Sequence, residues 1–217
     1  SDAYCPTKNP DGLKGETIVV DKDGNIQNAV IYIKNVPADH GGKKGSEQPE
    51  MIVDQIGCRY VPHVVAVQLG QTVKIKNSDD ALHNVHFVSK LNGDWNMTQS
   101  PNRTDGPKQP FVKSEIGTSL FKCDIHPWMK AMAAFFDHPY FAVSKADGTF
   151  EIDTTGLPDG DYEIWAWQEK YKYAKVKGVS VKQGKVAQLQ FTFNKRKKNK
   201  AKHRKLSKNK KTASDSN

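Results

Sequence analysis

The chain has 217 residues, enough to bury a proper core in one large domain or two small ones. Its formal charge of +9 is unevenly placed, because eleven Lys and Arg and a single acid, Asp215, fall between Lys195 and Asn217. The remaining body is near neutral, so this is not a basic nucleic-acid-binding domain, and the absence of any run of about 18 apolar residues excludes a membrane-spanning helix.

In chain order, Ser1-Asp2-Ala3 shows no charged-then-apolar leader and reads as the start of an exported product already processed. Residues 1–13 are polar, with Pro6, Pro10 and Gly12, and form an arm. Thr17 to Val20, a turn at Asp23-Gly24, and Ala29 to Ile33 read as strands. Pro37 to Pro49 is a Gly- and Lys-rich loop without the strand–loop–helix context of a phosphate site.

A second block covers residues 50–138. Val61 to Leu69 is β-branched, Thr72 to Asn77 alternates at period two, and Leu82 to Val88 follows a Ser78-Asp79-Asp80 turn. Asn92 to Pro110 is a polar excursion, Phe111 to Phe121 returns the chain, and a helical turn is expected near Met129 to Phe136. Residues 139–194 are again strands, split by Asp147-Gly148 and Pro158-Asp159-Gly160 turns. Short strands at this spacing predict an all-β chain of β-sandwiches. Trp165 and Trp167 share parity and line one face, with core packing as the plain reading.

The chemistry is concentrated in Cys123-Asp124-Ile125-His126-Pro127-Trp128-Met129, where thiolate, imidazole and thioether recur every third residue. Such soft donors with imidazole suit copper in a His₂Cys plane with a weak axial Met, and His83, forty residues upstream of Cys123, offers the second imidazole. His86 faces away from His83 in a strand and is read as a packed or hydrogen-bonded residue. His63 and His138 are read as structural. Cys5 and Cys58 are left to form a disulfide, which would imply an oxidising compartment, or to remain buried thiols.

His83-Asn84-Val85-His86-Phe87 together with the Cys123–Met129 loop resembles the cupredoxins, in particular their amicyanin and plastocyanin group, over roughly residues 60–136. The resemblance implies a Greek-key sandwich over residues 50–138 binding one type 1 copper through His83, Cys123, His126 and Met129. It implies that Asn84 ties the two ligand-bearing segments together. It also implies that Pro127 and Trp128 flank an exposed edge of His126 on an apolar patch that meets redox partners. Cys58 departs from the amicyanin pattern.

Residues 14–37 and 139–194 resemble a carboxypeptidase regulatory-like (transthyretin-type) β-sandwich, through Asp147-Gly148-Thr149-Phe150 and Leu157-Pro158-Asp159-Gly160-Asp161-Tyr162. The copper module is expected to be inserted between its strands, which closely spaced termini permit.

The expected function is single-electron transfer between Cu(I) and Cu(II), in the periplasm or outside the cell, without catalysis. The expected partner is a c-type cytochrome, an oxidase or a dehydrogenase. Alternatives are a structural or docking subunit of an envelope redox complex, or copper storage and delivery. The tail of residues 195–217 is too polar to fold alone and is expected to meet an acidic partner subunit or an anionic envelope surface; nucleic acid ranks lower for want of aromatic interleaving.

Overall fold

The computed structural model describes residues 3–194 and 200–204. The arm carries a one-turn helix, α1 (Tyr4–Lys8), and is followed by β1 (Val19–Val20), β2 (Ile26–Gln27) and β3 (Val30–Lys34). Next come β4 (Met51–Gln55), β5 (Tyr60–Val61), β6 (Val64–Gln68), β7 (Val73–Asn77), β8 (His83–Val88), β9 (Trp95–Gln99), β10 (Thr104–Asp105), β11 (Glu115–Lys122) and β12 (Lys130–Phe136). The chain closes with β13 (Phe141–Val143), β14 (Gly160–Gln168), β15 (Lys172–Val181), β16 (Gln188–Thr192) and β17 (Lys200–Arg204). The all-β class is observed, and among the described residues no helix is long and apolar enough to cross a membrane.

Strands β4 to β12 make two sheets, ordered β10-β7-β4-β5 and β6-β12-β11-β8-β9. Their inner faces meet in one core that takes Val53, Tyr60 and Ile75 from the first sheet and Val65, Val67, Val85, Phe87, Phe121 and Phe135 from the second. The polar excursion contains β9, which pairs with β8 and delivers Trp95 onto Phe87, ring centroids 5.5 Å apart. The helical turn expected near Met129 to Phe136 is instead β12, antiparallel to β11 and parallel to β6. Its run Ala131 to Phe136 is buried on both faces, so the alternation that marks a half-exposed strand is missing.

Strand β3 pairs with β13 and β14, across the intervening strands β4 to β12, in the sheet β13-β3-β14-β15. Parity then divides β3, β6, β12 and β14 between cores. Ile31 and Ile33 of β3 face a core with Tyr140, Leu157, Ile164, Ala166 and Val179. Val30 and Tyr32 face the other way, with Trp167, onto Val64 and Ala66 of β6 and Met132, Ala134 and Phe136 of β12. The outer face of the β6-β12-β11-β8-β9 sheet is therefore sealed by the β13-β3-β14-β15 sheet, and Trp165 packs on the same side as Trp167. Each large apolar side chain buried there contributes roughly 1.5–3 kcal/mol. Trp167 fits because β11 bulges at Gly117, whose φ of +80° and missing Cβ leave room for the indole.

The tail expected to be disordered lies outside the described residues, apart from Lys200–Arg204, which form β17 against β16. Leu189 and Phe191 of β16 pack onto the second module's core.

Candidate metal centre

His83 opens β8, and Cys123 follows the last residue of β11, which pairs antiparallel with β8. The loop from Cys123 to Met129 connects β11 to β12 as a tight turn: Met129 N–H donates to His126 O at 2.9 Å and Cys123 N–H to Met129 O at 3.1 Å. This places a ring nitrogen of His83, Cys123 Sγ and a ring nitrogen of His126 within 4.8 Å of one another. His83 Nδ1 and His126 Nδ1 are 2.9 Å apart, and Cys123 Sγ lies 3.8 Å from His126 Nδ1. All three side chains are buried, and Met129 is buried beside Cys123 in the same core.

Backbone amides surround the cysteine sulfur. The backbone N–H groups of Asn84 (3.5 Å) and His126 (3.4 Å) point at Cys123 Sγ. Asn84 Oδ1 accepts the N–H groups of Asp124 at 2.7 Å and Ile125 at 3.2 Å, so Asn84 ties β8 to the ligand loop. Asp124 in turn accepts from Asn84, Asn96 and His86. The Lys122 ammonium and these donors hold its carboxyl far below the usual carboxylate range. His86 is thus engaged with Asp124, outside the three-donor group.

Two contributors were not singled out from the sequence. Tyr60 reaches from the opposite sheet to donate to Asn84 O at 2.8 Å and Lys122 O at 3.2 Å, linking the strand that carries His83 to the one that leads into Cys123. Its burial pushes its phenol pKa up. Asp79, in the turn before β8, is buried and sits 3.0 Å from His83 Nε2. Its position four residues before His83 was the available signal, read only as a turn. A carboxylate on Nε2 favours the tautomer that frees Nδ1 for a metal. A second group, Cys58, Asp79 and His83, also comes within 4.8 Å, but Cys58 is bonded to Cys5 and offers no thiolate.

One expectation is corrected. His126 is almost wholly buried: it is 3% exposed, packed against His83 and against Trp128, whose ring centroid is 5.2 Å away. Trp128 itself is 52% exposed, Pro127 is exposed, and Ile56, Leu82 and Ile125 lie exposed on loops at this end. Of the other histidines, His63 pairs with Glu169 at 2.8 Å and His138 accepts the Tyr140 N–H at 3.1 Å.

A buried cysteine sulfur, two imidazoles turned toward it and a neighbouring thioether residue form a donor set that fits a copper ion. The residues brought together are therefore a potential metal site.

No protein-family model matches the chain, and no curated protein matches it. Among solved structures it is similar to a copper-containing nitrite reductase from Thermus scotoductus SA-01, with 20% identity and a TM-score of 0.36, over 48% of this chain and 27% of that one. It is also similar to a Cu(I) amicyanin variant, with 24% identity and a TM-score of 0.30, over 50% of this chain and 98% of that one. A purple cupredoxin from Nitrosopumilus maritimus matches at 16% identity and a TM-score of 0.33, over 41% and 99% of the two chains.

Proposed function

We propose that this chain is a type 1 copper protein that carries single electrons between redox partners. The observation that carries the reading is the enclosure of His83, Cys123 and His126 donors within 4.8 Å, with two backbone N–H groups aimed at the sulfur. Copper bound there would supply one-electron chemistry, and His83, Cys123 and His126 would hold it, with Met129 as a weaker thioether donor.

The chain's own part is to keep those donors still. Asn84 fixes the ligand loop to β8, Tyr60 fixes β8 to the end of β11, and the shared core braces β12 from behind. A rigid donor set limits reorganisation when the charge of the site changes. Burial of His126 moves the electron port outward to Trp128, whose exposed ring lies over the imidazole. The exposed apolar residues at this end suit a transient contact with a c-type cytochrome, an oxidase or a dehydrogenase. The Cys5–Cys58 disulfide agrees with a periplasmic or extracellular location. The second module, read as transthyretin-type, acts as a scaffold through the sealed sheet face.

The test is a visible absorption spectrum during titration with Cu(II), followed by reduction. An intense band that saturates at one equivalent, bleaches reversibly and vanishes in Cys123→Ser is expected. A colourless protein would overturn the electron-transfer reading and favour a structural or docking subunit of a redox complex. Rapid loss of bound copper to a chelator would favour storage or delivery.

A further inference from the structure

The metal pocket has a wall that none of its donor residues builds. Asp79 is 1% exposed, and a carboxylate so placed is costly unless hydrogen bonds compensate it. Its Oδ1 accepts the Gly57 N–H at 2.7 Å and the Tyr4 hydroxyl at 3.2 Å. Its Oδ2 accepts the Cys58 N–H at 2.7 Å and faces His83 Nε2 at 3.0 Å. Every partner except His83 belongs to one of two short segments that the Cys5–Cys58 disulfide joins across 53 residues of sequence.

That joint is needed, because a five-residue helix does not hold itself together in water. α1 is held by the disulfide, which is buried, and by Asn9, whose Nδ2 donates to Gly57 O at 3.3 Å. The same joint touches the ligand loop, since Trp128 Nε1 donates to Cys58 O at 3.2 Å. The Cys58 sulfur itself lies within 4.8 Å of a carboxylate oxygen of Asp79 and a ring nitrogen of His83. The arm thus contacts the ends of the site that carry His83 and Trp128.

We infer that the Cys5–Cys58 disulfide is a thiol-sensitive clasp that positions the metal site, with Asp79 as the positioning residue between the disulfide-bound loop and His83. While the disulfide is closed, the Gly57 and Cys58 amides hold the Asp79 carboxylate, which holds the His83 ring with Nδ1 toward Cys123 and His126. Because the sulfurs are buried, a dithiol reductant reaches them when the short arm opens locally, and it then breaks the disulfide by exchange. The S–S bond breaks, Cys5 and Cys58 each become a thiol with two electrons and two protons from the dithiol, and the dithiol closes to its own disulfide. The freed loop then no longer fixes Asp79 or Trp128, and His83 loses its set orientation. The inference rests on the metal-site reading above and adds thiol control to it.

The test compares the full chain with Cys5→Ala/Cys58→Ala and with Asp79→Asn, which keeps the disulfide. In metal-free protein, ¹⁵N NMR of the imidazoles should show His83 protonated at Nε2 and slow to exchange in the wild type, with exchange at least several-fold faster in both variants. After Cu(II) loading, both variants should keep the thiolate absorption, release copper to a chelator several-fold faster, and show a displaced potential. Wild type opened by dithiothreitol while metal-free should gain two titratable thiols and exchange like the double variant, and reoxidation should restore it. An unchanged His83 tautomer and exchange rate in the opened protein and in Asp79→Asn would overturn the clasp, whatever happens to thermal stability. If the double variant does not fold, the reduced wild type and Asp79→Asn still decide. Failure of the wild type to bind copper would refute the metal reading alone, because the imidazole measurement needs no metal.

Discussion

Asn84 and Asp124, forty residues apart, are joined twice: Asp124 N–H donates to Asn84 Oδ1 at 2.7 Å, and Asn84 Nδ2 donates to Asp124 Oδ2 at 3.2 Å. With the Ile125 N–H on the same Oδ1, one amide side chain holds the start of the ligand loop against β8. Asn84→Ala should therefore lower stability by about 1–2 kcal/mol, the usual cost of unmade hydrogen bonds in a partly buried setting. Amide exchange at Asp124 and Ile125 should accelerate with it. Asn96→Ala, which removes one contact to Asn84 and one to Asp124 and leaves the loop N–H groups satisfied, should leave those two amides protected. Denaturant melts with hydrogen-exchange NMR measure both.

Met129 is fully buried in the core beside Cys123, and its backbone closes the loop turn. A Met129→Leu swap conserves volume and should cost less than about 1.5 kcal/mol in stability. A weak axial thioether governs potential more than retention, so the potential should move clearly while copper affinity changes little. Voltammetry beside a chelator competition measures the two. An unchanged potential would remove Met129 from the donor set.

Trp128 covers His126, so removing the indole should expose a ring that is now 3% accessible. In metal-free Trp128→Ala, carbethoxylation of His126 by diethyl pyrocarbonate should run several-fold faster than in the wild type, read by peptide mass spectrometry. The already half-exposed His86 should react at an unchanged rate.

How far the sequence discloses this architecture depends on the reach of each signal. Cys123 and His126 were legible because they lie three residues apart on one short loop, and His83 because it stands forty residues upstream of Cys123 in a strand-like run. Asp79 and Tyr60 were not, since their roles arise only when β5 and the turn before β8 come against the ligand strands. The burial of His126 depends on where the Trp128 ring turns, which loop spacing does not encode. The β12 strand was misread because its Ala131 to Phe136 run faces two cores at once, and a doubly buried strand has no period to detect. The resemblance of residues 14–37 and 139–194 to one β-sandwich placed β3 beside the strands after Tyr140, and β3 does pair with β13 and β14. That pairing supplies the second of those cores.

At Gly117 the β11 backbone meets the Trp167 ring of that second core. A Cβ built there would lie 2.5 Å from Trp167 Nε1 and 2.9 Å from its Cε2, on a residue whose φ is +80°. Gly117→Ala combines left-handed strain with displacement of a buried indole and should cost about 2–4 kcal/mol. Gly178→Ala has a similar φ of +65° and open space around it, so it should cost only the strain, about 1–2 kcal/mol. The difference between the two melts, with a red shift of Trp emission confined to Gly117→Ala, isolates the packing between modules.

Acid should weaken the fold through two groups of opposite chemistry. Burial beside Phe136 and Tyr140 lowers the His138 pKa from 6.5 to about 4, so the folded state holds this ring neutral while the unfolded chain protonates it. The unfolded state thus binds the extra proton between these values, and stability falls as pH drops from about 6.5 toward 4. The full effect is on the order of 3 kcal/mol. For Glu169 burial acts upward, but the His63 and Lys130 contacts outweigh it and bring the carboxyl down from 4.5 to about 2. Its contribution is complete above pH 4.5 and is lost as pH falls through about 2. Urea melts of metal-free protein between pH 7 and 4 should show the first slope, and His138→Gln should flatten it. Glu169→Gln should retain the slope above pH 4.5 while lowering stability throughout, because His63 and Lys130 lose their shared carboxylate.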